Sequence, residues 1–199
     1  MKRLNSENVN TPDMSDGIFR DRWGSREHTV DWNRFAALAK HFKGGRYLDL
    51  GCFNSPMPGH LSEEFPESEI IAIDHAPETI ARMQELYPKV KYICADFNAY
   101  PWKQEDIGSF DYIVAGEVIE HLEDPQMFMD GVFALLKPGG VFAMSTPFEE
   151  TISQPLVSRE HLWAFTLEDI KQLLSKFKDF NVEINQDTVK LFIAYGFKK

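Results

Sequence analysis

The amino-acid sequence predicts an α/β fold, a doubly wound parallel sheet that closes with a C-terminal β-hairpin. Short apolar segments alternate with helical segments through five strands, which is typical of parallel sheets covered by helices on both faces. Two β-rich segments, 180–184 and 189–197, then end the sequence, and the polar residues 185–187 favour a tight connection between them. A nicotinamide-binding domain would continue with further parallel units, so the hairpin argues against one.

Five strands are predicted from short apolar runs, most of which end at or just before an aspartate or a glycine. They cover residues 46–50, 70–74, 90–95, 110–115 and 141–145. The run at 110–115 shows no alternation of polar and apolar residues, as expected for a strand buried on both faces of a parallel sheet.

Helices are predicted before, between and after these strands. They cover 31–42, 59–65, 77–87, the segment from Pro125 to about 136, and a segment from Thr166 onward. Apolar residues recur at helical spacing in most of them, and prolines in the first turn or glycines past the end mark several boundaries. Along 31–42 the recurring residues are Trp32, Phe35 and Phe42, which we expect to pack into the core.

The domain organisation follows from length and local composition. The 199 residues, 43% of them hydrophobic, fit one globular domain with a sizeable core. Residues 1–17 are polar, so we expect a flexible leader before a single domain at 18–199. Within that domain, 18–45 forms an N-terminal cap and helix, and 147–166 forms a lid. The aromatic and basic residues at 18–28 either line an acceptor pocket or form a dimer surface.

Charge and composition exclude several classes of partner. The chain has 21 Lys and Arg against 31 Asp and Glu, a formal net charge of −10. Nucleic acids and anionic membranes attract basic surfaces, so we expect neither as a partner. No apolar run approaches the ~20 residues that cross a bilayer, and the N-terminus lacks the apolar segment of a secretory signal. Cys52 and Cys94 imply no disulfide framework. We expect a cytoplasmic monomer or homodimer.

Acidic residues stand at the ends of three predicted strands. Asp49 comes just before Gly51, Asp74 ends the second strand, and Asp96 follows the third. The carboxyl ends of parallel strands form the ligand-binding edge of such sheets, where a carboxylate is suited to a ribose diol. The pattern indicates a site for an adenosine-containing cofactor. Two alternatives stay open: Asp49 as a solvated strand end, and Asp96 as a cap for the following turn.

Four segments, in this order and spacing, resemble the motifs of class I S-adenosylmethionine-dependent methyltransferases. They are Tyr47-Leu48-Asp49-Leu50-Gly51-Cys52, Ile73-Asp74, the segment 110–125 with its Gly116-Glu117-Val118-Ile119-Glu120-His121, and Leu136-Lys137-Pro138-Gly139-Gly140. The resemblance covers roughly residues 46–197 and is strongest to small members related to ubiquinone-biosynthesis O-methyltransferases. It implies a Rossmann-like sheet of seven strands, mostly parallel, with an antiparallel strand in the C-terminal hairpin.

The same resemblance implies roles in binding S-adenosylmethionine and its product, S-adenosylhomocysteine. Asp49 and Gly51 would border the methionine portion of the cofactor, with Phe53 in the same loop. Asp74 would bind the ribose hydroxyls, with His75 beside it.

Three further residues complete the implied cofactor site. Asp96 would meet the adenine amino group, and Phe97 would lie beside the adenine ring. Glu117, just past the fourth strand, would lie near the sulfonium and the amino acid tail.

The loop after the first strand departs from the family pattern. Relatives usually carry Gly-x-Gly-x-Gly, whereas this chain keeps only Gly51 and has Phe53 and Ser55 at the other two positions. Close backbone approach and positive φ angles are harder without glycine. Asn54 tolerates a left-handed conformation better than most residues, and Gly59 is a candidate start for the next helix after a longer loop.

The segment 117–123 holds three glutamates and a histidine, which at first sight resembles a metal site. A small group of RNA-terminal methyltransferases binds a divalent ion through a Glu-x-x-Glu-His motif. The same string is common in metal-free relatives of the ubiquinone type, and the acidic net charge argues against RNA. We therefore expect no metal.

The resemblance favours methyl transfer from S-adenosylmethionine to a small-molecule or sugar-like acceptor, at oxygen. His161, in the expected lid, is the candidate base for a hydroxyl, because an unperturbed imidazole titrates near neutral pH. The alternative is a structural histidine that hydrogen-bonds the lid. The altered loop also motivates a second function, a non-catalytic module that binds the cofactor or a nucleoside.

Overall fold

The computed structural model describes residues 1–23, 31–148, 160–185 and 191–199. Within these residues the main sheet has seven strands, β2 (Arg46–Leu50), β3 (Glu69–Asp74), β4 (Lys91–Cys94), β5 (Phe110–Gly116), β6 (Leu136–Pro147), β8 (Lys178–Asn185) and β9 (Leu191–Phe197). A separate two-stranded sheet pairs β1 (Lys2–Arg3) with β7 (Trp163–Ala164) in antiparallel register.

The strand order of the main sheet is β4-β3-β2-β5-β6-β9-β8. The pairs from β4 across to β6 are parallel, whereas β9 runs antiparallel to both of its neighbours. The order reverses between β2 and β5, which places a crevice at the carboxyl ends of β2, β3 and β5. The prediction of a seven-stranded, mostly parallel sheet with an antiparallel strand in a C-terminal hairpin is confirmed.

Helices connect the strands and cover both faces of the sheet. They are α1 (Pro12–Trp23), α2 (Trp32–Ala39), α3 (Met57–Glu64), α4 (Pro77–Leu86), α5 (Pro125–Leu135) and α6 (Leu167–Leu173), with short 3-10 helices at Ile119–His121 and Leu174–Lys176. Asp31 caps α2, because its carboxylate accepts a hydrogen bond from Arg34 N at 3.0 Å. The α3 helix starts at Met57, two residues before the predicted start, and α2 ends at Ala39, three residues before the predicted end.

Two hydrophobic cores lie on opposite faces of the sheet. One contains Phe128 and Val132 of α5 and Ile170 of α6. The other contains Leu38 of α2 and Leu61 of α3, and it also includes a residue of α4. Among the described residues no helix is both long and apolar enough to span a bilayer.

Residues 1–17, for which the composition predicts a flexible leader, include β1 and the first half of α1. Local sequence gave no reason for this helix, since its order depends on a distant contact. The Asp16 carboxylate, 3% exposed, accepts hydrogen bonds from Glu78 N and from the backbone and hydroxyl of Thr79. Asp16 therefore caps α4 from another element and holds α1 against it.

Trp32 also departs from its prediction. Phe35 and Phe42 are buried in the core as expected, but Trp32 is 52% exposed. Its ring contacts the ring of His60 edge-on, with centroids 4.8 Å apart, and it faces the cavity at the carboxyl ends of the strands.

Candidate functional site

A cavity of about 1180 Å³ opens at the carboxyl ends of β2, β3 and β5. All eight residues implied as cofactor ligands line it, namely Asp49, Gly51, Phe53, Asp74, His75, Asp96, Phe97 and Glu117. The sheet topology explains this convergence, because parallel neighbouring strands present their carboxyl ends at one edge. The structure therefore brings together residues that lie up to 68 positions apart in sequence, from Asp49 to Glu117.

The loop after β2 turns sharply although it lacks the usual glycines. Gly51 has a φ of 73°, and a Cβ there would lie 2.6 Å from Val118 Cγ2. Phe53 itself adopts a left-handed φ of 42°, although Asn54 next to it is a residue type that tolerates this conformation better. The Phe53 N–H donates to Asp74 Oδ2 at 2.9 Å, and this bond holds the strained residue in place.

Asp74 anchors the loop and still faces the cavity. Its second carboxylate oxygen accepts from Ala76 N at 3.0 Å. Burial raises the pKa of Asp74, and the two backbone N–H bonds oppose that increase. Each carboxylate oxygen has a second lone pair, so the side chain retains acceptor capacity for the two hydroxyls of a ribose.

Three buried charged atoms at the cavity have no hydrogen-bond partner among the described residues: Arg34 Nε, Asp49 Oδ2 and Glu117 Oε1. Burial, and then the Asp74 charge, raise the pKa of Asp49 to about 7. Burial and Glu120 raise the pKa of Glu117, and Arg34 opposes both increases. Buried polar atoms without a hydrogen-bond partner are costly, so these atoms are candidates to bind a polar ligand in the cavity.

Arg34 is a residue of the site that was not predicted from the sequence. A signal was available, because a cation in the first turn of a helix opposes the helix dipole and is unfavourable there. Arg34 shares the cavity with Asp49 of β2 and with Glu117, which follows β5, and its charge acts on both. Only the tertiary fold brings α2 to these two strands.

The cavity lining also includes apolar side chains, among them Phe97, Met83 and Leu86. Asp96 lies on the wall beside Phe97, and its Oδ1 accepts from Asn98 N at 2.9 Å. The alternative in which Asp96 caps the following turn is thus observed. It does not compete with ligand binding, since a carboxylate has several acceptor sites.

The N-terminal segment forms another wall of the cavity, through Asn8, Asn10, Met14, Ser15 and Ile18. Two hydrogen bonds attach the segment to other parts of the chain. Its Ser15 hydroxyl pairs with His75 Nε2 at 2.9 Å, and Asn10 Nδ2 donates to the Glu160 carbonyl at 2.8 Å.

Of the expected acceptor-pocket residues at 18–28, Phe19 is buried and packs edge-on against Phe53. Arg20 pairs with Glu78 at 2.6 Å. His28 lies outside the described residues, as does most of the expected lid at 147–166, from 149 to 159.

His161 is not among the described residues that line the cavity, whereas its neighbour His121 is. The two rings meet edge-on with centroids 4.9 Å apart. Glu120, His121 and His161 place one ligand atom each within 4.8 Å of one another, so this group is the candidate for a metal among the described residues. The expectation of no metal stays a prediction.

Comparison with known proteins gives the family. A family model described as a methyltransferase domain matches residues 23–183. The chain belongs to this methyltransferase domain family. This membership, together with the seven-stranded fold, confirms the resemblance to class I S-adenosylmethionine-dependent methyltransferases that the motifs indicated.

Similar sequences carry related names. The chain is 30% identical over 137 residues to a probable S-adenosylmethionine-dependent methyltransferase of Mycolicibacterium smegmatis, covering 69% of this chain and 50% of the relative. It is 35% identical over 118 residues to the ubiquinone biosynthesis O-methyltransferase of Nitrobacter winogradskyi, covering 58% of this chain and 43% of the relative. The chain thus spans about half the length of these curated relatives.

A solved structure supports the fold. Phosphoethanolamine N-methyltransferase 2 of Haemonchus contortus, in complex with phosphomonomethylethanolamine and S-adenosylhomocysteine, matches with a TM-score of 0.74 at 18% identity. The match covers 92% of this chain and 57% of the other. At this identity the likeness shows a shared fold.

Proposed function

We propose that this protein is an S-adenosylmethionine-dependent methyltransferase that methylates a small-molecule or sugar-like acceptor at oxygen. The observation that carries the proposal is that Arg34, Asp49 and Glu117, all at the strand-end cavity, each have a buried side-chain atom without a hydrogen-bond partner among the described residues. A ligand with an ammonium, a sulfonium and a carboxylate would neutralise that set. S-adenosylmethionine carries these groups on its methionine portion.

Different residues on the cavity wall would bind different parts of the cofactor. Arg34 would bind the cofactor carboxylate, since a guanidinium pairs with carboxylates in bidentate geometry. Asp49 and Glu117 would face the ammonium and sulfonium charges, which would keep both side chains ionised. Asp74 would accept from the ribose hydroxyls, and Phe97 would pack against the adenine ring.

The bound cofactor supplies a methyl group already activated by its positively charged sulfur. The chain's part is therefore to align the acceptor with that methyl group and to exclude water. The N-terminal segment that includes Asn10 and Ser15 covers one side of the cavity and suits the second task.

A small acceptor fits the size and charge of the site. Ligand cavities usually measure about 300–1,000 Å³, so 1180 Å³ accommodates the cofactor together with a small second molecule. The net charge of −10 favours such an acceptor over a nucleic acid. The names of the sequence relatives favour oxygen as the methylated atom, while the N-methyltransferase with the same fold keeps nitrogen as the rival.

Calorimetric titration of the Arg34→Gln variant with S-adenosylhomocysteine tests the proposal. We expect at least a tenfold loss of affinity, because a charge-assisted hydrogen bond is worth about 1.5–3 kcal/mol. Arg82→Gln is the matched control, since Arg82 is exposed and pairs only with Glu85 among the described residues. Equal affinity in both variants would remove Arg34 from the cofactor site.

The second candidate function is a cofactor-binding module without turnover, which the altered loop at Gly51 and Phe53 motivates. It shares the expected affinity for S-adenosylhomocysteine. It differs by showing no transfer of a labelled methyl group to any member of a panel of hydroxylated and amino small molecules.

A further inference from the structure

Side-chain amides are abundant on the cavity wall, apart from the residues implied as cofactor ligands. Five asparagines line the cavity, namely Asn8, Asn10, Asn33, Asn54 and Asn98. Asn8 and Asn10 lie on the N-terminal segment, and Asn33 lies on α2. An amide both donates and accepts hydrogen bonds, as a hydroxyl does, so such a wall is suited to a ligand rich in hydroxyls.

Hydrogen bonds fix the orientation of the Asn8 and Asn10 amides. Asn8 Oδ1 accepts from Asn10 N at 3.0 Å and from Asn10 Nδ2 at 2.9 Å. Asn10 Nδ2 also donates to the Glu160 carbonyl at 2.8 Å, which uses its second hydrogen. Asn8 Nδ2 is then left as a donor and Asn10 Oδ1 as an acceptor, neither of them bonded to another described residue. The pair thus offers one donor and one acceptor side by side.

The amide pair is connected to the turn that follows β5. The Glu160 carbonyl that accepts from Asn10 Nδ2 also lies 3.0 Å from His121 Nδ1. His121 lines the cavity and belongs to the same turn as Glu117. Because Glu117 is proposed to face the sulfonium, this connection places Asn10 on the side of the cavity from which the methyl group leaves.

Trp32 adds an aromatic surface to the same side. It lines the cavity and is 52% exposed. It lies two positions before Arg34, whose charge acts on Glu117. An exposed aromatic ring at a cavity is available to the apolar part of a ligand. A sugar ring carries C–H groups on its faces and hydroxyls at its edge, so it can contact Trp32 and the amides together.

The charges on the cavity wall disfavour an anionic acceptor. Among the described residues, six carboxylates line the cavity, against one arginine and no lysine. The carboxylates belong to Asp31, Asp49, Asp74, Asp96, Glu117 and Glu160. The cofactor brings an ammonium, a sulfonium and one carboxylate, which leaves the lining negative. Like charges in a binding site are costly, so a phosphorylated or carboxylated acceptor would be repelled.

We propose that the N-terminal segment and the start of α2 form an acceptor subsite for an uncharged, hydroxyl-rich ring, a neutral sugar, and this assignment rests on the proposed function. Asn8 and Asn10 bind neighbouring hydroxyls, and Trp32 packs against the ring. In the reaction the methyl–sulfur bond breaks and its electron pair stays on sulfur. The methyl carbon bonds to a hydroxyl oxygen of the sugar, and the hydroxyl proton passes to water.

The first test compares three classes of acceptor by transfer of a labelled methyl group from S-adenosylmethionine. The probes are neutral methyl glycosides, the 6-phosphates of the same glycosides, and catechols. We expect a neutral glycoside to show a kcat/KM at least tenfold above that of every phosphate and catechol. Preference for a catechol or a phosphate would overturn the inference and leave the methyltransferase function intact. Transfer to none of them, by protein that binds S-adenosylhomocysteine, would overturn it and favour the module without turnover.

The second test measures the KM of the preferred glycoside in Asn8→Ala and Asn10→Ala. We expect each variant to raise this KM about fivefold, the worth of one net hydrogen bond, with kcat and S-adenosylhomocysteine affinity unchanged. Asn5→Ala is the matched control, because Asn5 Nδ2 donates to the His161 carbonyl at 2.7 Å from the same segment, yet Asn5 does not line the cavity. An equal increase in Asn5→Ala would mean that the variants only loosen the segment, and would overturn the subsite.

The aromatic surface is tested in the same assay. Trp32→Leu should raise the KM of the glycoside at least fivefold, and Trp32→Phe, which keeps an aromatic ring, should recover most of that loss. Equal KM values for wild type and Trp32→Leu would remove Trp32 from the subsite. Absence of S-adenosylhomocysteine binding by the folded wild type would instead refute the proposed function, whichever acceptors are tried.

Discussion

The cap that Asp16 provides for α4 predicts a large loss of stability in Asp16→Ala. The carboxylate accepts three hydrogen bonds, at 3.1 Å from Glu78 N and at 3.0 Å from both the backbone and the hydroxyl of Thr79. Thr79 is 0% exposed, so water cannot replace the lost acceptor at that residue, whereas the exposed Glu78 can rehydrate. The variant thus leaves two buried donors unsatisfied.

The magnitude follows from those donors. A helix cap alone is worth about 1 kcal/mol, and an unsatisfied buried group costs about 1–3 kcal/mol. We expect a decrease of about 2–4 kcal/mol in the free energy of unfolding, measured by urea denaturation. Because α1 also forms a wall of the cavity, affinity for S-adenosylhomocysteine should fall too.

Asp13→Ala is the matched control for this prediction. Asp13 lies on the same helix but is exposed, so its loss should change stability by less than about 0.5 kcal/mol. If Asp16→Ala were as stable as Asp13→Ala, the N-terminal helix would not be held by this cap.

Three further predictions concern the site. Asp74→Asn should weaken S-adenosylhomocysteine binding at least tenfold in calorimetry, because it removes the charge that serves both the ribose and the Phe53 loop; equal affinity would contradict that role. The pKa of Asp49 is raised to about 7, so the folded protein holds this proton more tightly than the unfolded chain does. The free energy of unfolding should therefore fall as the pH rises from 4 to 7, relative to Asp49→Asn; parallel plots of that free energy against pH would refute the shift. Gly51→Ala should destabilise by at least ~2 kcal/mol through its positive φ and the Val118 contact, whereas Gly17→Ala, in an open helical position, should not destabilise; thermal denaturation compares them.

The features predictable from sequence are those encoded by local patterns. The end of β2 just before Gly51, the end of β3 at Asp74 and the proline-marked start of α4 follow from residue type and spacing. The seven-stranded sheet followed from the family resemblance, which these strand ends helped to carry. Trp32 satisfied the helical period of the core residues, yet the period cannot tell which end of a helix meets a cavity.

Other features depend on contacts between distant segments. Arg34 and Asp16 act through tertiary neighbours that no local pattern specifies. The left-handed Phe53 is held by a hydrogen bond to a side chain 21 positions away. His121 and His161 lie 40 positions apart in sequence, and the edge-on contact between their rings follows from the tertiary fold.

Calorimetric titration of the wild-type protein with S-adenosylmethionine and S-adenosylhomocysteine tests the central proposal most directly. The unpartnered buried atoms of Arg34, Asp49 and Glu117 predict micromolar binding of both ligands at one site per chain. A folded protein that released no heat with either ligand, and showed no change in thermal stability on adding them, would contradict the cofactor assignment.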